Sequence, residues 1–161
     1  MIHPRQVTLV RHCEKPDDVK DIHLTIKGQM RALGLSNLLP NNHYDFIFAC
    51  QNTKHSHRPY ESILPTAKIL DLDIDTSFED AQFKELVAHI YTKKKYEDKS
   101  ILCCWHHGML GHLIKAFGGT SPFEHWPESV YDRIITLQYA DNNTVITENH
   151  AQKLLYGDSE N

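Results

Sequence analysis

The chain has 161 residues and a formal net charge of −4 at pH 7, with a pI of about 6.3. This length suits one domain over residues 1–161, and the charge gives no attraction to nucleic acid or to an anionic membrane. The chain contains neither a run of the roughly 18 apolar residues that a membrane span needs nor a signal-peptide pattern at its start. Four cysteines without C-x-x-C spacing predict reduced thiols and a cytoplasmic location.

The first half of the chain alternates strand-like and helix-like patterns. Residues 6–10 predict a first strand, and 24–40 predict a helix with Thr25 as its N-cap and a proline at its end. The apolar run 45–50 predicts a buried second strand. The following segment, "PYESILPTAKIL", predicts a helix with a kink or break at Pro65.

The second half continues the alternation and ends in a hairpin. We predict a short strand over 73–78, a helix over 80–97, a buried strand over 100–105 and a helix over 108–119. The alternating pattern of 132–150 predicts two strands joined by a tight turn. Strands that alternate with helices favour a three-layer α/β/α fold, and the final hairpin adds an antiparallel edge to a mostly parallel sheet.

Polar residues follow three of these strands. The first ends in Arg11 and His12, the second leads to Arg58, and the fourth leads into His106 and His107. Binding sites in open parallel sheets lie beyond the carboxyl ends of the strands, so these side chains should converge. Arginine binds phosphate oxygens bidentately, and positive charge nearby lowers the pKa of an imidazole, which favours its neutral, nucleophilic form. The pattern therefore predicts that His12 attacks phosphorus.

If the strand extends through His106 and His107, the two side chains cannot both face one pocket, because neighbouring residues of an extended strand point to opposite faces. We expect His107 to lie in the pocket, because Gly108 lets the chain turn into the next helix. His106 is then expected to have a structural role.

Four segments resemble the histidine phosphatase superfamily, also called phosphoglycerate mutase-like, and together they cover nearly the whole chain. The family's Arg-His-Gly motif stands here as Arg11-His12-Cys13, and "LTIKGQMRALGLSNLL" is similar to its Leu-Thr-x-x-Gly-x-x-x-Ala helix. "HRPYESILPTAKIL" resembles its second-arginine segment, with Ser62 where threonine is common. "ILCCWHHGML" is similar to its second-histidine strand, and the tail resembles that of a small, uncapped bacterial branch.

The resemblance implies a metal-independent phosphohydrolase that needs no cofactor. It makes His12 the phosphoryl acceptor, Arg11 and Arg58 phosphate ligands, and His107 the second pocket histidine. Little chain remains for a cap, so we expect an open site that accepts a small phosphomonoester or a phosphorylated protein side chain.

The general acid is less clearly indicated. The family's proton-donor carboxylate has no unambiguous counterpart, but Glu79 and Asp80 follow the third predicted strand, and Glu14 lies two residues from His12. We expect Glu79 or Asp80 to be the acid, and Glu14 to point away or to act structurally. Cys13, where the motif has glycine, is interpreted either as a core thiol or as a reactive one.

Three alternative functions stay open. A mutase would return the phosphoryl group to a substrate, and a phosphate sensor would have lost turnover, for example through Cys13. The twelve histidines also raise the possibility of a metal-binding protein, for which His55 and His57 are candidates without an obvious third ligand nearby. The sequence indicates neither the physiological substrate nor the oligomeric state.

Overall fold

The computed structural model describes residues 1–161 and contains one six-stranded sheet and four α-helices. The strands are β1 (Gln6–Arg11), β2 (Phe46–Ala49), β3 (Ile74–Asp75), β4 (Ser100–Trp105), β5 (Arg133–Tyr139) and β6 (Val145–Ala151). The helices are α1 (Ile26–Leu38), α2 (Arg58–Leu70), α3 (Phe83–Thr92) and α4 (His107–Ala116). The strand order is β3-β2-β4-β1-β5-β6, in which the first four strands are parallel and the hairpin β5-β6 is antiparallel. The predicted sheet architecture is confirmed.

The sheet separates two hydrophobic cores. Alternation along β1 directs Val7 and Leu9 into the core that includes Leu86 of α3 and Leu113 of α4. Val10 faces the other core, which holds the buried faces of α1 and α2. Two helices on each face give the three layers that the alternating pattern predicts.

Two predicted elements differ from the structure. Helix α2 is not broken at Pro65, where a kink or break is predicted, and it continues to Leu70. The buried face of α2, which includes Ile63 and Ala67, packs into the second core. A proline removes one backbone hydrogen bond of a helix, and we attribute the continuation of α2 to this packing, which offsets the loss. The predicted helix over 80–97 is instead α3 flanked by two 3₁₀ turns, because Lys93 is extended and Glu79 caps a separate first turn.

Helix α1 is tied to the loop that follows β1. The Thr25 hydroxyl accepts a hydrogen bond from the amide of Gly28 at 2.9 Å, and the amide of Thr25 donates to the carbonyl of Glu14 at 3.0 Å. A Cβ atom at Gly28 would lie 2.6 Å from that carbonyl, so only glycine permits this approach. The Leu-Thr-x-x-Gly pattern therefore fixes the loop that carries His12. None of the four helices has the length and apolar character of a membrane span.

Candidate active site

The register between β1 and β4 brings two histidines together. Arg11 pairs with Trp105 across these parallel strands, and the amide of His12 donates to the carbonyl of Trp105 at 3.0 Å. His12 directly follows β1 and His106 directly follows β4, so the two residues are neighbours. Their rings lie edge to face, with centroids 5.1 Å apart. These two imidazoles form the centre of the candidate site.

The structure therefore brings His106, rather than the expected His107, against the His12 ring. His107 is the first residue of α4, and its Nδ1 lies 3.5 Å from Nη2 of Arg11. It borders a cavity of about 230 Å³ that is also lined by His112 and His125. The expectation rested on a turn at Gly108, but the φ angle of Gly108 is not positive and a Cβ atom there would meet nothing within 4 Å. The chain enters α4 without needing glycine.

The tautomer of His12 follows from one hydrogen bond. Its Nδ1 lies 2.7 Å from the carbonyl of Cys13, and a carbonyl only accepts, so Nδ1 carries the proton. Burial lowers the pKa of His12 well below its usual value, and the neighbouring His106, Arg11 and Arg58 lower it further. His12 is therefore neutral near pH 7, and its Nε2 carries a lone pair. Burial and Arg58 also lower the pKa of His106 to about 4.

Arg11 is buried and held from several sides. Its Nη1 donates to the carbonyls of Glu128 and Val130 at 2.5 and 2.9 Å, which fixes the guanidinium against the 127–130 loop. Its Cζ lies 3.8 Å above the centre of the Tyr131 ring, a cation–π contact. Its Nε is buried and has no hydrogen-bond partner.

Arg58 begins α2 and also has a buried nitrogen without a partner. Its Nη1 donates to the carbonyl of Asp21 at 3.0 Å, while its Nε is buried without a partner. The hydroxyl of Ser56 accepts a hydrogen bond from the amide of Arg58, the first residue of α2, at 3.2 Å. The N-cap of α4 is His106, which makes no side-chain cap, so the N-terminus of α4 borders the site, and such ends favour anions.

Ser62 and Cys13 support the loop rather than the chemistry. The Ser62 hydroxyl accepts a hydrogen bond from the amide of Cys13 at 2.7 Å and donates to the carbonyl of Arg58 at 2.7 Å. This hydroxyl connects the two segments that carry His12 and Arg58. Cys13 is fully buried, and burial raises the pKa of its thiol to about 12, which supports the core-thiol interpretation.

Glu14 lies in a buried ionic cluster. The guanidinium of Arg31 donates to both of its carboxylate oxygens at 2.8 to 3.1 Å. The same guanidinium donates to Gln152 and to both oxygens of Asp158 at 2.7 to 2.9 Å. The loop after β1 is thereby joined to α1 and to the C-terminal tail, which is the structural role expected for Glu14.

The two carboxylates after β3 have different environments. Glu79 is exposed, and its side chain forms a capping box with Gln82. Asp80 is half-buried, its Oδ1 has no partner, and its carbonyl accepts a hydrogen bond from Nε1 of Trp105 at 3.1 Å. Burial raises the pKa of Asp80 to about 6. Asp80 is therefore the carboxyl group that can hold a proton near neutral pH, and it contacts the residue before His106.

Tyr131 is a site residue that the sequence reasoning missed. Its ring lies under Arg11, and its centroid is 6.1 Å from that of His12. It stands outside the four motifs, in an irregular segment before β5, where no local pattern distinguishes it. A separate group of possible metal ligands, His23, His57 and Glu61, lies beside the start of α2 and does not include His55.

No protein-family model and no curated protein matches the sequence, whereas solved structures match its fold. The protein histidine phosphatase SixA complexed with tungstate is 15% identical with a TM-score of 0.68, over 91% of this chain and 97% of that chain. The phosphoserine phosphatase of Entamoeba histolytica with 3-phosphoglyceric acid is 18% identical with a TM-score of 0.61, over 93% and 99%. A mycobacterial glucosyl-3-phosphoglycerate phosphatase with inorganic phosphate is 14% identical with a TM-score of 0.57, over 91% and 96%.

These similarities establish the fold. The chain has the α/β/α architecture of these phosphatases over nearly its whole length, and the predicted phosphoglycerate mutase-like fold is confirmed.

Proposed function

We propose that this single-domain protein is a metal-independent, cytoplasmic phosphohydrolase that works through a phosphohistidine. The observation that carries the proposal is the neutral His12, whose ring lies beside a second imidazole and is acted on by the positive charges of Arg11 and Arg58. His12 attacks phosphorus through Nε2 and releases an alcohol, and water then hydrolyses the phosphohistidine.

The hydrogen bond from Nδ1 of His12 to Cys13 supports this role. It fixes the ring orientation and leaves Nε2 as the only ring nitrogen with a lone pair. The bond also stabilises the positive charge that the ring acquires when Nε2 bonds to phosphorus. A carbonyl partner can do this without accepting the proton, so the ring stays ready for the second step.

Arg11, Arg58 and His106 serve as ligands of the phosphoryl oxygens. The guanidinium groups of the two arginines and the N-terminus of α4 supply positive potential where negative charge develops. Because these groups stabilise the negative charge on the phosphoryl oxygens, the proposed mechanism requires no metal ion. His107 acts on this site only through its contact with Arg11.

Asp80 serves as the general acid and narrows the substrate class. An alkoxide is a poor leaving group, and a carboxyl group with a pKa of about 6 is protonated often enough to donate to it near neutral pH. A phosphoramidate would need this help less. A phosphomonoester of an alcohol, free or on a protein side chain, is therefore favoured over a phosphohistidine substrate.

Steady-state hydrolysis of p-nitrophenyl phosphate in the presence of EDTA tests the proposal. His12→Ala should lose at least about 10³-fold in kcat, while His150→Ala, a change at an exposed histidine on β6, should match the wild type. Substantial activity of His12→Ala would overturn the assignment of the nucleophile. Phosphate binding without any hydrolysis by the wild type would instead indicate a sensor.

A further inference from the structure

A second group of ligand side chains lies beside the start of α2. His23 comes from the loop before α1, His57 is the N-cap of α2, and Glu61 lies in the first turn of that helix. One ligand atom from each of the three residues lies within 4.8 Å of the other two. The proposed hydrolysis uses none of these side chains.

We propose that His23, His57 and Glu61 bind a divalent transition metal of the zinc type. Two imidazole nitrogens and one carboxylate oxygen are a donor set that Zn²⁺ takes, with an open fourth position. Bonds of about 2.0–2.2 Å place tetrahedral ligand atoms roughly 3.3 Å apart. The ligand atoms that are farthest apart therefore need to approach by at most about 1.5 Å, whereas Nδ1 of His23 and Oε1 of Glu61, which are in hydrogen-bond contact, must move apart, and rotation of the exposed His23 side chain can supply both changes.

Existing contacts already hold the three residues in this arrangement. Nδ1 of His23 donates a hydrogen bond to Oε1 of Glu61, and a metal ion that binds there must displace this proton; the amide of Leu24 donates to Oε2 at 3.0 Å. The amide of His57 donates to the carbonyl of Ile22 at 2.9 Å, which ties the N-terminus of α2 to the segment that carries His23. The Leu24 amide orients the carboxylate in the way that outer-shell groups orient metal ligands.

Solvent can reach the metal position. His23 and Glu61 both line an open cavity of about 400 Å³, whose other walls include Leu24, Leu33 and Pro65. A water molecule in this cavity can complete the coordination of the metal. The three ligand residues are distinct from those of the His12 pocket, and Arg58, next to His57, donates through Nη1 to the carbonyl of Asp21.

The simpler interpretation is an ordinary surface pair between an imidazole and a carboxylate. The chain contains such a pair, since Nε2 of His43 lies 3.0 Å from Oδ1 of Asp45. That pair lacks a second imidazole and is not part of a three-ligand group. It therefore provides a matched control, in which a similarly exposed histidine is removed from a similar contact.

The experiment is a calorimetric titration of the metal-free full chain with Zn²⁺ at pH 7.5, followed by Co²⁺ absorption spectroscopy. We expect one tight site per chain and the visible bands of low-symmetry four-coordinate Co²⁺. His23→Ala and Glu61→Gln should each weaken binding by about 100-fold or more, because loss of even an outer-shell partner costs about 10–100-fold. His43→Ala should change it less than twofold. Saturating Zn²⁺ should raise the melting temperature of the wild type by about 5–10 °C.

Two results would overturn the site. One is the absence of saturable binding by the wild type. The other is unchanged Zn²⁺ affinity in both His23→Ala and Glu61→Gln, which would place the bound metal on other histidines. Far-UV circular dichroism shows whether each variant is folded, and the Co²⁺ spectrum of the wild type tests the ligand set without any substitution. Hydrolysis of p-nitrophenyl phosphate in EDTA tests the proposed phosphohydrolase activity, and Zn²⁺ binding tests the metal site. Failure of one proposal therefore does not decide the other.

Discussion

Replacement of Asp80 by asparagine should stabilise the protein while it impairs the proposed chemistry. Burial raises the pKa of Asp80 from 3.8 to about 6, which means that the folded state disfavours the charged carboxylate. At 1.36 kcal/mol per pH unit, this difference corresponds to about 3 kcal/mol. Because Asp80 retains some contact with water, we expect about half of this, roughly 1–2 kcal/mol.

The direction of the pH dependence is fixed by the raised pKa. Between pH 3.8 and about 6 the folded state binds more protons than the unfolded state, so wild-type stability falls as the pH rises through this window. At pH 7.5 the charged Asp80 therefore lowers the unfolding free energy of the wild type by the full amount, whereas Asp80→Asn has no such loss. The variant should melt about 3–6 °C higher at pH 7.5, and the difference should disappear below about pH 4.

Thermal unfolding at the two pH values and kinetics on two substrates measure both effects. Asp80→Asn should slow hydrolysis of an alkyl phosphate by about 10²–10⁴-fold and largely spare p-nitrophenyl phosphate, whose leaving group needs no proton. Wild-type alkyl phosphatase activity should fall above about pH 6, where Asp80 loses its proton. Glu79→Gln is the control, because Glu79 is exposed and should show no such difference between substrates. Equal losses on both substrates, or a destabilised Asp80→Asn at pH 7.5, would refute the reasoning.

Three further changes test the surroundings of the site. Arg31→Met leaves Glu14 and Asp158 without their cation and should cost about 3–5 kcal/mol of unfolding free energy in a urea titration. His106→Ala should lower kcat by about 10²–10³-fold, and His107→Ala should lower it less. A larger loss in His107→Ala would instead support His107 as the second pocket histidine, as the sequence predicts. The four thiols are buried, and burial raises their pKa values, so a disulfide reagent should label them only after denaturation, and rapid labelling of the native protein would contradict their burial.

Local patterns were sufficient to predict the fold and the first histidine. Strand-length apolar runs alternate with helical segments, and the strand before Arg11 and His12 ends in two polar residues that no turn requires. The Leu-Thr-x-x-Gly segment also follows from local physics, since Thr25 caps α1 and Gly28 allows its close approach to the loop.

The remaining site residues depend on tertiary contacts that no local pattern contains. The choice between His106 and His107 follows from the register of β1 against β4, in which Arg11 pairs with Trp105. Burial separates Asp80 from its neighbour Glu79, although both follow the same strand. Likewise, His23 and Glu61 are 38 residues apart and come together only when the loop before α1 packs on α2.

A covalent phosphoryl group on His12 is the species that distinguishes the proposed mechanism from a sensor and from direct attack by water. The wild type should be mixed with substrate, quenched within one turnover in alkaline denaturant, which preserves phosphohistidine, and digested for peptide mass spectrometry. We expect the phosphoryl group on the peptide that contains His12, and none in His12→Ala. Turnover without any phosphorylated peptide, or phosphorylation that persists in His12→Ala, would contradict the mechanism.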